Sequence, residues 1–281
     1  MSLLMSPLRN QSAAQKPWEG SCHKKPWHYE VCAAIPVMDT WESLQMVVDL
    51  LRAQTIRPFF VIIDTGSLSQ NWEKIDAMRA EDLEVHSIRL NGVKHPSDYP
   101  AMAMDLAMSL CRSPYMLATH ADCFSMKKTL VEETLQLCKT ISPAVGYEIT
   151  PRGHDDWHGM VSHTWTMLDM KVMDEIGIGW GLRRLGRLFN IEDHSPDPTR
   201  PNWPDTELLL NYLLRDNQIE PFLMGKEENF TRNKDENIDH CRTLTGGLLY
   251  SREYYTKAMG WLEDALGQAR ERLKNWTEPN S

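Results

Sequence analysis

Two short apolar runs, each with an aspartate at or just after its end, constrain the fold of this chain most. Val31–Val37 is followed by Asp39, and Phe59–Asp64 ends in its own acid. Runs of this length and composition predict buried parallel strands. Apolar residues at helical spacing from Leu44 to Leu51 predict a helix between them, with Asp39 or Thr40 as its cap. The segment is therefore predicted to be a βαβ unit.

The same alternation continues along the chain. Further strands are predicted at 85–90, 115–119, 144–149 and 219–224, and further helices at 101–111, 127–139, 166–176 and 205–215. An irregular stretch is expected at 151–163 and a long loop at 177–204. This order predicts an α/β fold with a doubly wound, mostly parallel sheet flanked by helices, followed by a long C-terminal helix.

Length and composition favour one main folded core. The chain has 281 residues, 42% of them hydrophobic and 25% charged, which is typical of a folded, water-soluble protein. Residues 1–28 are rich in Pro, Ser, Gln and Lys without a clear period, so we expect an extended arm there. A folded domain is expected over residues 29–249, and a charged helix over 250–281.

Charge, cysteine pattern and hydropathy exclude several classes of protein. A formal net charge of −9 argues against general attraction to nucleic acid. Six scattered cysteines without a CxxC pair indicate neither a disulfide framework nor a zinc ribbon. No run approaches the roughly 20 apolar residues of a membrane span, and the N-terminal stretch lacks the apolar core of a signal peptide. We therefore expect no membrane span and a cytoplasmic location.

Three aspartates are predicted to meet at one edge of the sheet. Asp39, Asp64 and Asp122 each follow or end a predicted strand. Ligands of doubly wound sheets bind outside the carboxyl ends of the strands. Because carboxylate oxygens are good ligands for divalent cations, a cation site is expected at this edge, and a bound cation would let this acidic protein hold an anionic ligand.

Four motifs follow one another in an order that resembles family-2-like glycosyltransferases, which have a GT-A fold. They are Val31–Val37, Ile62–Ser67, Cys111–Tyr115 and the tripeptide His120-Ala121-Asp122. The likeness extends over roughly residues 29–240. It implies a catalytic domain over 29–249, with a donor half at about 29–125 and an acceptor half at about 126–249.

The resemblance also implies a donor and metal site. Pro36 and Asp64 take the positions that hold the nucleotide base and ribose, and the family's D-x-D metal motif aligns with the tripeptide that begins at His120. Its first Asp is replaced by His120, which either binds the metal or contacts the ribose or diphosphate of the donor, whereas Asp122 keeps the second as the metal ligand. A His and an Asp that merely end a strand and cap the next helix are the structural alternative. His240 resembles a histidine that completes the metal shell. The implied cofactor is Mn²⁺ or Mg²⁺, and an imidazole ligand shifts the preference towards Mn²⁺ and softer ions.

Other charged residues are predicted around the donor. Asp39 lies at the end of the first strand, and Arg242 is a possible diphosphate contact that stabilises the departing nucleotide. Lys94 follows the third predicted strand and is a candidate to offset phosphate charge. Exposed cations at such positions are more often simply solvated.

The acceptor side is predicted from a helix start and from aromatic residues. Asp205 aligns with the second acid of the family's general-base pair, and Glu207 is the reserve candidate. An Asp at this position is equally compatible with a plain helix cap. Trp157, His158 and Trp180 are candidates to contact the acceptor, although single tryptophans usually belong to a core.

The sequence therefore favours a glycosyltransferase that moves a hexosyl or pentosyl group from a nucleotide sugar to an acceptor hydroxyl, with inversion implied by the resemblance. A nucleotidyltransferase is disfavoured because no glycine-rich loop follows Ile35. A non-catalytic nucleotide- or carbohydrate-binding protein of the same fold stays open, since His120 and Pro204 replace two family acids. The acceptor is also open: a glycan, a small molecule or a modified nucleic-acid base.

Overall fold

The computed structural model describes residues 28–88, 98–149, 159–180, 206–228, 231–242 and 252–278. This part of the chain contains ten strands and seven helices. The strands are β1 (Val31–Val37), β2 (Phe59–Asp64), β3 (Leu83–Ser87), β4 (Tyr115–Thr119), β5 (Cys123–Ser125), β6 (Ala144–Ile149), β7 (Val161–Asp169), β8 (Phe222–Glu227), β9 (Asn233–Lys234) and β10 (Ile238–His240). The helices are α1 (Trp41–Arg52), α2 (Ser69–Asp76), α3 (Asp98–Leu110), α4 (Leu130–Thr140), α5 (Met170–Ile176), α6 (Leu208–Asp216) and α7 (Arg252–Thr277).

Seven of these strands form one sheet in the order β3-β2-β1-β4-β7-β6-β8. Strands β3, β2, β1 and β4 are parallel to one another, and β8 is parallel to β6. Only β7 runs the other way within this sheet, antiparallel to both β4 and β6. The remaining described strands form a small antiparallel sheet in the order β5-β10-β9. The predicted α/β class with a mostly parallel sheet is confirmed.

Helices cover both faces of the large sheet. Successive side chains of β1 point to opposite faces, and the residues on each face are apolar and pack against a layer of helices. Val31, Ala33 and Ile35 pack with α1, α4 and α7 in one core. Cys32 and Ala34 pack with α3, α5 and α6 in the other. Two buried faces explain why these strands are apolar without alternation.

The structure corrects one part of the predicted element order. The sequence predicts an irregular stretch at 151–163 and a helix at 166–176, but β7 (Val161–Asp169) includes the end of the first and the beginning of the second, and α5 begins only at Met170. Asp169 accepts hydrogen bonds from the backbone N–H groups of Lys171 and Val172, which caps α5. The predicted helix therefore begins too early, because residues 166–169 belong to β7.

The long C-terminal helix is confirmed as α7 (Arg252–Thr277). Its buried residues, which include Leu262, Ala265 and Ala269, face the core beside α1. Among the described residues, no helix is long and apolar enough to cross a membrane. The domain boundaries at 28 and 249 stay predictions, as does the division into donor and acceptor halves.

Gly146 of β6 is predicted to be essential for packing. A Cβ at this position would lie 2.2 Å from Thr166 Oγ1 and 2.8 Å from the backbone oxygen of Trp165. We expect Gly146→Ala to lower the free energy of unfolding by about 2 kcal/mol or more, because overpacking against backbone cannot relax by side-chain movement alone. Denaturant-induced unfolding measures this change.

Gly267→Ala is the matched control. This glycine lies in α7, and no atom lies within 4 Å of an added Cβ. Alanine stabilises a helix interior relative to glycine, so the control is expected to raise the free energy of unfolding by up to about 1 kcal/mol. Equal effects of the two substitutions would contradict the packing role of Gly146.

Candidate functional site

The strand directions bring several polar residues to one edge of the large sheet. The parallel strands β1, β2, β4 and β8 end there, and Asp64 and Glu227 are the last residues of β2 and β8. His120 directly follows β4. Because β7 runs in the opposite direction, its first residues, including Ser162 and His163, lie at the same edge. This is the edge at which doubly wound sheets bind ligands.

Two histidines and one aspartate form the centre of this site. His120 and Asp122 lie in the turn between β4 and β5, and β10 pairs with β5 so that His240 is opposite Cys123. The backbone N–H of Cys241 also donates to the carbonyl oxygen of Asp122 at 3.1 Å. One potential ligand atom from each of His120, Asp122 and His240 lies within 4.8 Å of the other two.

The distances within this group suit a divalent cation. His120 Nδ1 lies 3.1 Å from His240 Nε2, and Asp122 Oδ1 lies 3.6 Å from His240 Nε2 and 3.9 Å from His120 Nδ1. Adjacent donor atoms bound to one transition-metal ion lie about 3.0–3.4 Å apart when each bond is about 2.1 Å long, so the two histidine nitrogens have this spacing and the Asp122 oxygen lies slightly beyond it. Two imidazoles and one carboxylate are a donor set that binds such ions. The three residues predicted as metal ligands are thus brought together.

The surroundings of His120 and His240 shift the pKa values of the two rings in opposite directions. Burial, together with the neighbouring His163 and His240, lowers the pKa of His120 well below its usual value, so this ring stays neutral. Burial would also lower the pKa of His240, but Glu227 and Asp122 together raise it to about 8. A neutral imidazole is the form that binds a metal, so His120 is ready to act as a ligand at neutral pH.

Glu227 is a functional candidate that the sequence analysis missed. Its Oε1 lies 2.7 Å from His240 Nδ1, and its Oε2 accepts from Ser162 Oγ at 3.0 Å and from Arg242 Nη2 at 3.2 Å. Burial by itself would raise the pKa of Glu227, but His240 and Arg242 hold it well below the usual range. The signal available in the sequence was an acid near the end of a predicted strand, but that strand was predicted to end at Met224.

Glu207 and His163 form a second buried pair beside the first group. Glu207 immediately precedes α6, and its Oε1 is hydrogen-bonded to His163 Nδ1. The ring centroids of His163 and His120 are 4.1 Å apart. The reserve candidate for the general base therefore lies one side chain away from the predicted metal ligands.

The predicted donor residues Asp39 and Asp64 lie at the ends of neighbouring strands. Asp64 is fully buried, and its Oδ1 accepts from the backbone N–H of Ser67. Asp39 has a positive φ of 57° and accepts from the backbone N–H of Leu68 at 2.7 Å through Oδ1. Pro36 lies within β1, opposite Ile63 of β2. Their roles in donor binding stay predictions.

The other predicted site residues divide into two groups. Trp180 is fully buried, with its indole N–H 3.1 Å from Met108 Sδ and its ring 6.1 Å from His163, and Arg242 contacts Glu227 as described. Four candidates lie outside the described residues: Lys94, Trp157, His158 and Asp205. The acceptor, diphosphate and base assignments of all these residues stay predictions.

Sequence comparison with protein-family models and with curated proteins finds no match. Comparison with solved structures does find similar folds. The mannosyltransferase PcManGT from Pyrobaculum calidifontis, solved in complex with GDP-Man and Mn²⁺, is 12% identical, and the match covers 97% of this chain and 81% of that chain with a TM-score of 0.51.

Two further matches are more distant in shape. TarS 1–349 from S. aureus is 14% identical with a TM-score of 0.42, and the match covers 54% of this chain and 50% of that chain, about half its length. The catalytic domain of Drosophila β1,4-galactosyltransferase 7, in complex with xylobiose, is 11% identical with a TM-score of 0.40; the match covers 75% of this chain and 70% of that chain.

The described part of the chain therefore has a GT-A-like fold. This conclusion rests on the sheet order and on the match to PcManGT over nearly the whole chain. The resemblance stated from the sequence motifs is confirmed at the level of the fold.

The hydrogen bond between His163 and Glu207 is predicted to be important for stability. Glu207 is 2% exposed, so its carboxylate depends on protein partners. We expect His163→Phe, which keeps the ring but removes the nitrogen, to lower the free energy of unfolding by about 1–3 kcal/mol. Denaturant-induced unfolding is the measurement.

His86→Phe on β3 provides the control. His86 Nε2 lies 3.2 Å from Glu84 Oε2, in a pair whose side chains are 30% and 22% exposed. Water replaces much of a partly exposed interaction, so the expected loss is about 0.5 kcal/mol. A loss at His163 no larger than that at His86 would contradict the structural role of the buried pair.

Proposed function

We propose that this protein is a glycosyltransferase that moves a sugar from a nucleotide sugar to an acceptor hydroxyl with the help of a divalent cation. The observation that carries this proposal is the His120, Asp122 and His240 group at the ligand-binding edge of a GT-A-like sheet. An acidic protein needs such a centre, since its net charge of −9 would otherwise repel a diphosphate.

His120, Asp122 and His240 would hold the cation, and Mn²⁺ suits them better than Mg²⁺. Mg²⁺ prefers oxygen ligands, whereas imidazole nitrogen suits transition metals. PcManGT, whose fold this chain resembles, was solved with Mn²⁺ and GDP-Man. A bound cation neutralises the donor's phosphates and stabilises the nucleoside diphosphate as it leaves.

The chemical step needs a base for the acceptor hydroxyl. The bond between the sugar's anomeric carbon and the diphosphate oxygen breaks, a bond from the acceptor oxygen to that carbon forms, and the acceptor's proton passes to a carboxylate. A single displacement of this kind inverts the anomeric configuration. Asp205 and Glu207 are the candidates for this base.

The surroundings of Glu207 support its candidacy. It is buried, and its hydrogen bond to His163 orients one carboxylate oxygen. The contact of His163 with His120 places the Glu207 carboxylate close to the predicted metal ligands. Asp205, two residues earlier, keeps its candidacy from the sequence resemblance. The acceptor class and the cytoplasmic location stay predictions.

The donor site can be tested by measuring the binding of nucleoside diphosphate sugars with and without Mn²⁺. We expect binding by the wild-type protein to require the cation, and Asp122→Ala to weaken it at least about 100-fold, because a direct ligand is lost. Isothermal titration calorimetry across UDP- and GDP-sugars measures the affinity and identifies the donor.

Asp76→Ala is a control for the loss of one negative charge. Asp76 is 42% exposed on α2 and pairs with Arg79. Its substitution should leave donor binding unchanged. Donor binding that depends on neither Mn²⁺ nor Asp122 would favour a non-catalytic binding protein. Binding of nucleoside triphosphates in place of nucleotide sugars would favour a nucleotidyltransferase.

The base can be identified by comparing Glu207→Gln with Asp205→Asn. Substitution of the base is expected to lower turnover by about 10²–10⁴-fold while donor affinity is kept, since the amide has no basic oxygen. Sugar transfer or slow donor hydrolysis provides the rate, and calorimetry provides the affinity. Turnover that survives both substitutions would exclude both residues as the base.

A further inference from the structure

Glu227 has no role in the mechanism described above, although it is buried directly behind a predicted metal ligand. It is the last residue of β8, and its side chain is fully buried. Its Oε1 lies 2.7 Å from His240 Nδ1. The other nitrogen of the same ring, Nε2, lies 3.1 Å from His120 Nδ1 and 3.6 Å from Asp122 Oδ1. The two nitrogens of His240 thus face different groups.

This arrangement selects one tautomer of His240. An ionised carboxylate only accepts hydrogen bonds, so the nitrogen that faces Glu227 carries the proton. Asp122 Oδ1, the carboxylate oxygen nearest the other nitrogen, lies 3.6 Å from Nε2, which is beyond hydrogen-bond distance, so the lone pair of a neutral His240 ring is on Nε2. A histidine that binds a metal through one nitrogen commonly donates its other N–H to a carboxylate in this way.

Glu227 is itself held in place by two further residues. Ser162 Oγ donates to Oε2 at 3.0 Å, and Arg242 Nη2 donates to the same oxygen at 3.2 Å. Ser162 lies on β7 and Arg242 lies two residues beyond the end of β10, so two other segments of the chain hold the carboxylate. The positive charge of Arg242 offsets the cost of burying the carboxylate. The ring of His240 is consequently held in one orientation.

We propose that Glu227 is a positioning residue that holds His240 in the orientation and tautomer required to bind the divalent cation. This inference deepens the proposed function and rests on it. It also assigns a structural role to Arg242, whose guanidinium anchors Glu227. The three residues Glu227, Ser162 and Arg242 then act on the cation only through His240.

The test compares wild-type protein with Glu227→Gln in a titration with Mn²⁺. The concentration of unbound Mn²⁺ is measured by electron paramagnetic resonance. Glutamine keeps the shape of the side chain but loses its charge and presents an amide that can also donate to the ring. We expect the affinity for Mn²⁺ to fall about 10- to 100-fold. Glu228→Gln, a neutralisation of the neighbouring exposed carboxylate, is the control and should leave the affinity unchanged.

A second measurement needs no metal and reports the tautomer directly. Long-range ¹H–¹⁵N NMR of the imidazoles, at a pH where the His240 ring is neutral, should show this ring with its proton on Nδ1 in the wild-type protein. The imidazole signal that is absent from the spectrum of His240→Gln is assigned to His240. In Glu227→Gln we expect a mixture of tautomers. An unchanged tautomer and an unchanged Mn²⁺ affinity in a folded variant would overturn the inference.

The two proposals fail in different ways. If the wild-type protein does not bind Mn²⁺, the proposed metal-dependent function is wrong. If the wild-type protein binds Mn²⁺ and Glu227→Gln binds it equally well, only the positioning role is wrong. Should Glu227→Gln fail to fold, Ser162→Ala tests the same point: loss of one anchoring hydrogen bond should weaken binding by about twofold to tenfold, and no change would overturn the inference.

Discussion

The pairing of β5 with β10 is the interaction on which the candidate site depends. It sets His240 opposite Cys123 and so brings that histidine beside Asp122, with His120 in the preceding turn. His120 and His240 are 120 positions apart in the chain. Backbone hydrogen bonds of the small sheet therefore create a group of ligands that no local stretch contains. The large sheet contributes the end of β4, which His120 directly follows.

Buried charge is the second constraint on the site. Asp122, Glu227 and Glu207 are each about 2% exposed, and a carboxylate removed from water is costly unless it is paired and hydrogen-bonded. Each of these acids has a basic partner: His240 contacts both Asp122 and Glu227, and His163 contacts Glu207. Pairing of this kind leaves little freedom for the rings. The same contacts that make burial tolerable also define the orientation of the candidate ligands.

The reversed strand β7 explains why the site has two neighbouring parts. Its first residues lie at the carboxyl edge because it runs against the other strands of the large sheet. Ser162 contacts Glu227 behind the His–Asp–His group, whereas the adjacent His163 contacts Glu207 at the start of α6. Neighbouring residues of a strand point to opposite sides, so one strand supports both parts.

The amino-acid sequence by itself determined the class of fold and the position of His120 and Asp122, since apolar runs buried on both faces have a recognisable pattern and the residues after them must lie at a sheet edge. It also indicated His240 through its resemblance to known enzymes. Strand β7 was missed because polar residues, among them Ser162, His163 and Thr164, interrupt the apolar run that marks a strand buried on both faces. Glu227 was missed because its role depends on β8 extending to residue 227 and on contacts with β7 and β10. Only the tertiary structure decided these points, because hydrogen bonds between distant segments leave no periodic signal in the chain.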